Sequence, residues 1–197
     1  MKRLISCLFF FVVIAGCKNG IRTDSGQIPL QSETPPFQQE LFRQRDSVAT
    51  LLRGMTAEKL DSSATAYWKI IQQGERMIPI LLDCLTDTRP TSVSDDCKKG
   101  KLNVGEVSYF ALEELAEFPI YLITQTQYDQ VVNGCPNFYT YLFNDNNKSD
   151  YQKKAIDFYR AFRKTNYQFS KYTANELTAC RKLFKIEGRL VWNNDSR

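Results

Sequence analysis

The chain has 197 residues, with 26 Lys and Arg against 22 Asp and Glu and no histidine. That length suffices for one domain with a core of its own, and the small positive balance excludes a general nucleic-acid binder, whose footprint is strongly basic. Without imidazole, hydrolysis by a His-containing triad is excluded, and the commonest neutral-pH base and metal ligand are missing.

The N-terminus runs Met1-Lys2-Arg3, then an apolar stretch from Leu4 to Ala15, then Gly16-Cys17. About 12 apolar residues behind two cations suit an export signal and fall short of the roughly 20 that a membrane span needs. A transmembrane anchor is the alternative reading. Small Ala15 and Gly16 give a peptidase access to the backbone ahead of Cys17. The segment Ile14-Ala15-Gly16-Cys17 resembles the lipobox of bacterial lipoproteins. That resemblance implies a diacylglycerol on the Cys17 thiol, removal of residues 1–16 and an acylated Cys17 amine. Two or more acyl chains anchor a protein firmly where one does not. The protein is then expected to be exported and held on the cell envelope by lipid. Lys18 stands where many inner-membrane lipoproteins carry Asp, which favours the outer membrane. Residues 17–36, with Gly20, Gly26, Pro29, Pro35 and Pro36, read as a flexible tether ahead of one domain at 37–197.

Apolar spacing predicts a helix over 37–53, with Leu41, Val48, Leu51 and Leu52 inward and Gly54 as its stop. A second helix spans 62–73, burying Ala66, Tyr67, Ile70 and Ile71 and ending at Gly74. A third covers 75–85, with Pro79 in its first turns and Ile78, Leu81, Leu82 and Leu85 inward. Residues 86–103 form a long polar loop of the kind that is usually functional or disordered. The next helix covers 105–118, with Val107, Phe110, Ala111, Leu115 and Phe118 inward and Pro119 as its stop. Residues 120–124 fit either a short strand or a helical turn, and 138–143 is undecided. The amphipathic stretch 151–166 places Tyr151, Ala155, Phe158, Tyr159 and Phe162 opposite Lys153, Asp157, Arg160 and Lys164. A last helix at 174–186 leads through Gly188 to a terminal strand at 189–192. The expected class is mainly all-α, a stack of helical hairpins with one or two short terminal strands.

Within this pattern, Trp68 to Asp87, with Gly74, Ile78-Pro79, Leu81-Leu82 and a closing Asp87, resembles a HEAT-type helical hairpin. Asn103-Val104-Gly105-Glu106-Val107, continuing to Ala111-Leu112, resembles the start of a following repeat. The resemblance implies a scaffold used mostly for binding and carries no catalytic residues. No clean repeat period recurs.

Cys7 leaves with the leader, so Cys84, Cys97, Cys135 and Cys180 remain beside Cys17. An even count in an exported chain suggests two disulfides. Three pairings are possible. The 13-residue separation favours Cys84–Cys97, which leaves Cys135–Cys180; free buried thiols are the alternative. No pair has the close spacing of a zinc ribbon, and neither metal nor cofactor is expected. Asp145, Asn147 and Ser149 alternate as in a calcium loop, but Asp150 and Ile156 stand where that loop needs Gly and Glu, so a polar turn capping the Tyr151 helix is expected. Glu113, Glu114 and Glu117 are expected on the wet side of their helix.

Charge is unevenly spread. Residues 74–130 hold ten acidic and five basic side chains, and residues 148–189 hold eleven basic and four acidic. Asp87, Asp95, Asp96, Lys98 and Glu106 are therefore the candidate contacts for a partner protein. The expected role is a non-catalytic binding module, with an immunity-type inhibitor of a toxin as its concrete form. The alternatives are an accessory protein for glycan or nutrient uptake, using exposed aromatics, and a His-free glycan hydrolase built on two carboxylates.

Overall fold

Helix α1, Pro36–Arg53, opens the part of the chain that the computed structural model describes, residues 36–128 and 130–194. The leader, Cys17 and the tether up to residue 35 lie outside the described residues. Against α1 pack α2, Thr65–Ile71, and α3, Ile78–Cys84, joined by a tight 3₁₀ turn, Gly74–Met77. Gly74 takes φ +72°, a left-handed conformation that suits glycine after a helix. Val48 and Leu52 of α1 are buried as their spacing predicts, whereas Leu51 is 50% exposed.

The centre of the molecule is α4, Val104–Leu115. Most of its circumference is buried, as befits a helix with neighbours on all sides. Its approach to α3 is close: a Cβ built on Gly105 would stand 2.1 Å from the Leu85 carbonyl oxygen. The Gly105 N–H donates to Asp87 O at 2.9 Å, so the contact is also hydrogen-bonded.

The all-α expectation is overturned. Helix accounts for 51% and strand for 15% of the structure, and three separate two-stranded antiparallel ribbons make the class mixed, though mainly helical. The supposed loop at 86–103 contains β1, Pro90–Ser94, and β2, Lys101–Asn103, in the register Pro90↔Asn103 and Ser94↔Lys101. The reason is local: Thr91 and Val93 alternate with Ser92 and Ser94, a period of two that buries one face. Small hydroxylated residues made that alternation look like loop. The Thr91 hydroxyl donates to Leu102 O at 2.8 Å, which seals the ribbon.

After α4 come α5, Ile120–Thr124, and a two-residue hairpin of β3, Val131–Val132, and β4, Cys135–Pro136. Its turn residues Asn133 and Gly134 have φ +53° and +81°, the pair of positive angles that a primed hairpin turn demands. Helix α6, Asn137–Leu142, precedes α7, Asp145–Phe162. Asp145, Asn147 and Ser149 thus lie in the first turns of α7 itself, and Asn144 is the residue that caps it. Tyr151, Ala155 and Tyr159 of α7 are buried, while Lys153, Asp157, Arg160 and Lys164 face solvent.

The C-terminal segment forms β5, Tyr167–Lys171, α8, Ala179–Leu183, and β6, Gly188–Trp192. β5 and β6 pair from Tyr167↔Trp192 to Lys171↔Gly188. The helix expected at 174–186 shrinks to five residues, and β5 gives the terminal strand its partner. The ribbon is fastened to the end of α4. Glu117 N–H donates to Leu190 O at 2.8 Å, and the Tyr167 and Tyr172 hydroxyls donate to Glu117 O and Glu114 O. The core runs as one cluster from α1 to β6, rich in edge-to-face aromatic pairs such as Tyr109–Tyr151 and Phe138–Tyr151.

Candidate binding surface

The β1–β2 ribbon ends in a tip, residues 95–100, that turns on an Asx contact. Asp95 Oδ1 accepts the Cys97 N–H at 2.8 Å. Cys97 is bonded to Cys135 at the start of β4, with Cα atoms 5.5 Å apart. The favoured pairing Cys84–Cys97 with Cys135–Cys180 is therefore corrected. Cys84 and Cys180 are free thiols. The physical reason is that Cys84 faces inward from α3 and is fully buried, while β1 carries Cys97 out to the tip, so 13 residues of chain separate rather than join them. Burial pushes the Cys84 thiol up to about 12, making it inert.

The disulfide ties together two surface projections of different chemistry. One is the charged tip, where Asp96 and Lys99 are exposed and Asp95 partly so, and where Lys98 is drawn under the tip to Glu106. The other is the β3–β4 hairpin, where Val131 and Val132 are 68% and 49% exposed.

Beneath the tip lies Glu106, completely buried in the first turn of α4. It closes a capping box: Asn103 Oδ1 accepts the Glu106 N–H at 2.9 Å, and Glu106 Oε2 accepts the Asn103 N–H at 2.8 Å. Lys98 Nζ reaches its carboxylate at 2.6 and 2.7 Å, and Lys148 Nζ, also buried, at 2.9 Å. Lys148 donates further to Asp145 Oδ1 at 2.8 Å. Glu106 is thus withdrawn from the set of partner contacts, because no atom of it reaches the surface. Its role is to pin the tip, through Lys98, to the ends of α4 and α7. Lys98 is spent on the same task and also lies 5.7 Å over the Phe143 ring.

Asp87 stands apart from the tip. It lines a polar cleft of about 410 Å³ with Arg45, Asp46, Asp83 and Arg89. Burial works to raise its carboxyl, but hydrogen bonds from Arg89 outweigh that and hold it below the usual range. Asp83, in the same cleft, is raised by burial. The structure therefore groups Asp95, Asp96, Lys98 and Glu106 at one place and sets Asp87 in another.

Sequence reasoning also misplaced Glu113. It is half-buried on the inner side of α4, accepting the Tyr109 hydroxyl at 2.8 Å and the Tyr139 hydroxyl at 3.5 Å, and burial lifts its carboxyl to about 7. Glu114 is largely enclosed too, held by Arg181 at 2.8 and 3.1 Å. The available signal was Tyr109 one turn ahead of Glu113, a hydroxyl placed to reach the carboxylate. Among the described residues, no cluster of Cys, Asp and Glu could hold a metal ion, and no helix is long and apolar enough to cross a membrane. No protein-family model matches the chain, and neither a curated protein nor a solved structure matches it.

Proposed function

We propose that this chain is an exported, lipid-anchored binding module that captures a partner protein with the paired tips joined by Cys97–Cys135. The observation that carries the reading is that bond itself, which fixes the charged tip bearing Asp95 and Asp96 beside the apolar Val131-Val132 hairpin. A surface held in one arrangement before it meets its partner loses less entropy on binding. The buried Glu106 with its two lysines stiffens the same tip from below. A disulfide suits the oxidising side of the envelope, which agrees with the lipobox resemblance at Cys17; anchoring to the outer membrane is proposed from Lys18 alone. An immunity-type inhibitor, neutralising a toxin on arrival, is the concrete form of this proposal.

The hydrolase alternative draws less support. In the polar cleft Asp46 lies 3.2 Å from Arg45 and Asp87 is paired with Arg89, so two of its three carboxylates are already engaged by cations.

The test is site-specific photocrosslinking in intact cells from Asp96 and from Val132, with Lys153 on the outer face of α7 as control. The expected result is one protein adduct shared by the two tip positions, absent at Lys153 and lost when Asp95→Lys and Asp96→Lys are introduced. Adducts unaffected by that charge reversal would remove the contact assignment. Anchoring is read separately, by incorporation of labelled fatty acid into the parent and its loss in Cys17→Ser.

A further inference from the structure

The basic end of the C-terminal ribbon has no part in the surface just described. Lys171, at the end of β5, shares a cleft of about 440 Å³ with Lys182 of α8 and with Lys185. None of these three ammonium groups has an ion pair or hydrogen bond to the other described residues. Arg181 behaves differently: it is held by Glu114 and stacks 4.1 Å over the Tyr172 ring, so it belongs to the framework. Glu187 is the acid in that lining.

Two exposed apolar side chains lie on the same two elements as the lysines, outside the lining of the cleft. Phe169 is 59% exposed and lies two residues before Lys171, on the same face of β5. Its ring tip rests over Gly188, where a Cβ would stand 2.8 Å from it. Leu183 follows Lys182 on α8 and is 63% exposed. We infer that this face docks on an anionic phospholipid surface. An anionic polymer would reward the lysines, and a nucleic acid also the Phe169 ring, but neither rewards Leu183. A charged bilayer rewards both features, since its headgroups take the ammonium groups and its acyl boundary takes Phe169 and Leu183. The inference rests on the proposed Cys17 anchor only for bringing the face to a bilayer.

The experiment places the full chain on vesicles of phosphatidylcholine alone, or mixed with phosphatidylglycerol, and follows amide exchange across 167–192. Each lysine near a charged bilayer is worth about fivefold in binding. Exchange in this segment is therefore expected to slow at least tenfold on the anionic vesicles, and to recover in high salt. On neutral vesicles it should stay unchanged. The Lys171→Glu, Lys182→Glu, Lys185→Glu variant should lose the slowing, and the Phe169→Ala, Leu183→Ala variant should lose most of it, with unchanged thermal melting in both. Slowing that survives the triple reversal, or no slowing in the parent, overturns the docking face. A chain that fails to sediment with neutral vesicles speaks against the anchor instead, and leaves the anionic comparison readable.

Discussion

Glu113 makes the stability of this protein depend on pH in a definite direction. Its carboxyl, lifted by burial from the ordinary 4.5 to about 7, binds its proton more tightly folded than unfolded. Below the unfolded value both states are protonated and no penalty exists. As pH rises through the window from 4.5 to about 7 stability falls, and above it the loss levels off at about 3 kcal/mol. Glu113→Gln keeps an acceptor for the Tyr109 hydroxyl and removes the charge. The variant is expected to match the parent at pH 4.5 and to exceed it by roughly 1–3 kcal/mol at pH 8 in urea unfolding. Equal stability at both pH values would show Glu113 to be wetter than the structure places it. Glu106 poses the converse case, a buried charge fully partnered. Glu106→Gln leaves the Lys148 ammonium inside with Asp145 as its remaining carboxylate, at an expected cost of about 3–5 kcal/mol. Adding Lys148→Met removes the stranded ammonium and should recover part of the loss, the share owed to Lys98 remaining.

At the scale of elements, the α3–α4 contact is a close joint that hangs on one missing methyl group. Gly105→Ala would drive a Cβ onto the Leu85 backbone, and a carbonyl cannot rotate away as a side chain can. The expected loss is about 3 kcal/mol, near the upper end for overpacking, seen as a fall of roughly 6–12 °C in melting temperature. This joint was half legible: the capping box of Asn103 and Glu106 emerged only from the structure, while the burial of Val107, Ala111 and Leu115 follows from their spacing. Long helices with one greasy side, α1 and α7, could be read in outline for the same reason. The ribbons could not. β1 alternates Thr and Val with serines, too polar to stand out, and β3 and β4 are only two residues each, held by a turn and a disulfide. The candidate site was legible in its charges and illegible in its wiring. Asp95 and Asp96 announce a charged tip, but which cysteine meets Cys97, and that Lys148 reaches the carboxylate underneath, depend on contacts dozens of residues apart.

For the whole molecule, the Cys97–Cys135 bond is both a staple for stability and a constraint on the proposed recognition surface, and the two roles separate experimentally. The bond closes a loop across 38 residues of sequence, and that loop contains α4, the central helix. Chain-entropy reasoning gives such a closure a worth of about 4 kcal/mol, taken from the unfolded state. Cys97→Ser with Cys135→Ser should therefore lower the melting temperature by roughly 8–16 °C. The folded core should persist, because α4 is held by Leu112, Leu115 and the Glu106 network independently of sulfur. If the tips act as a pair, the double variant, assayed well below its melting point, should still fold and yet lose the adduct shared by Asp96 and Val132. If the bond serves stability alone, capture should return once temperature is lowered to match the margin of the parent. A full return of capture under those conditions would sever the disulfide from recognition and leave Asp95 and Asp96 to act alone.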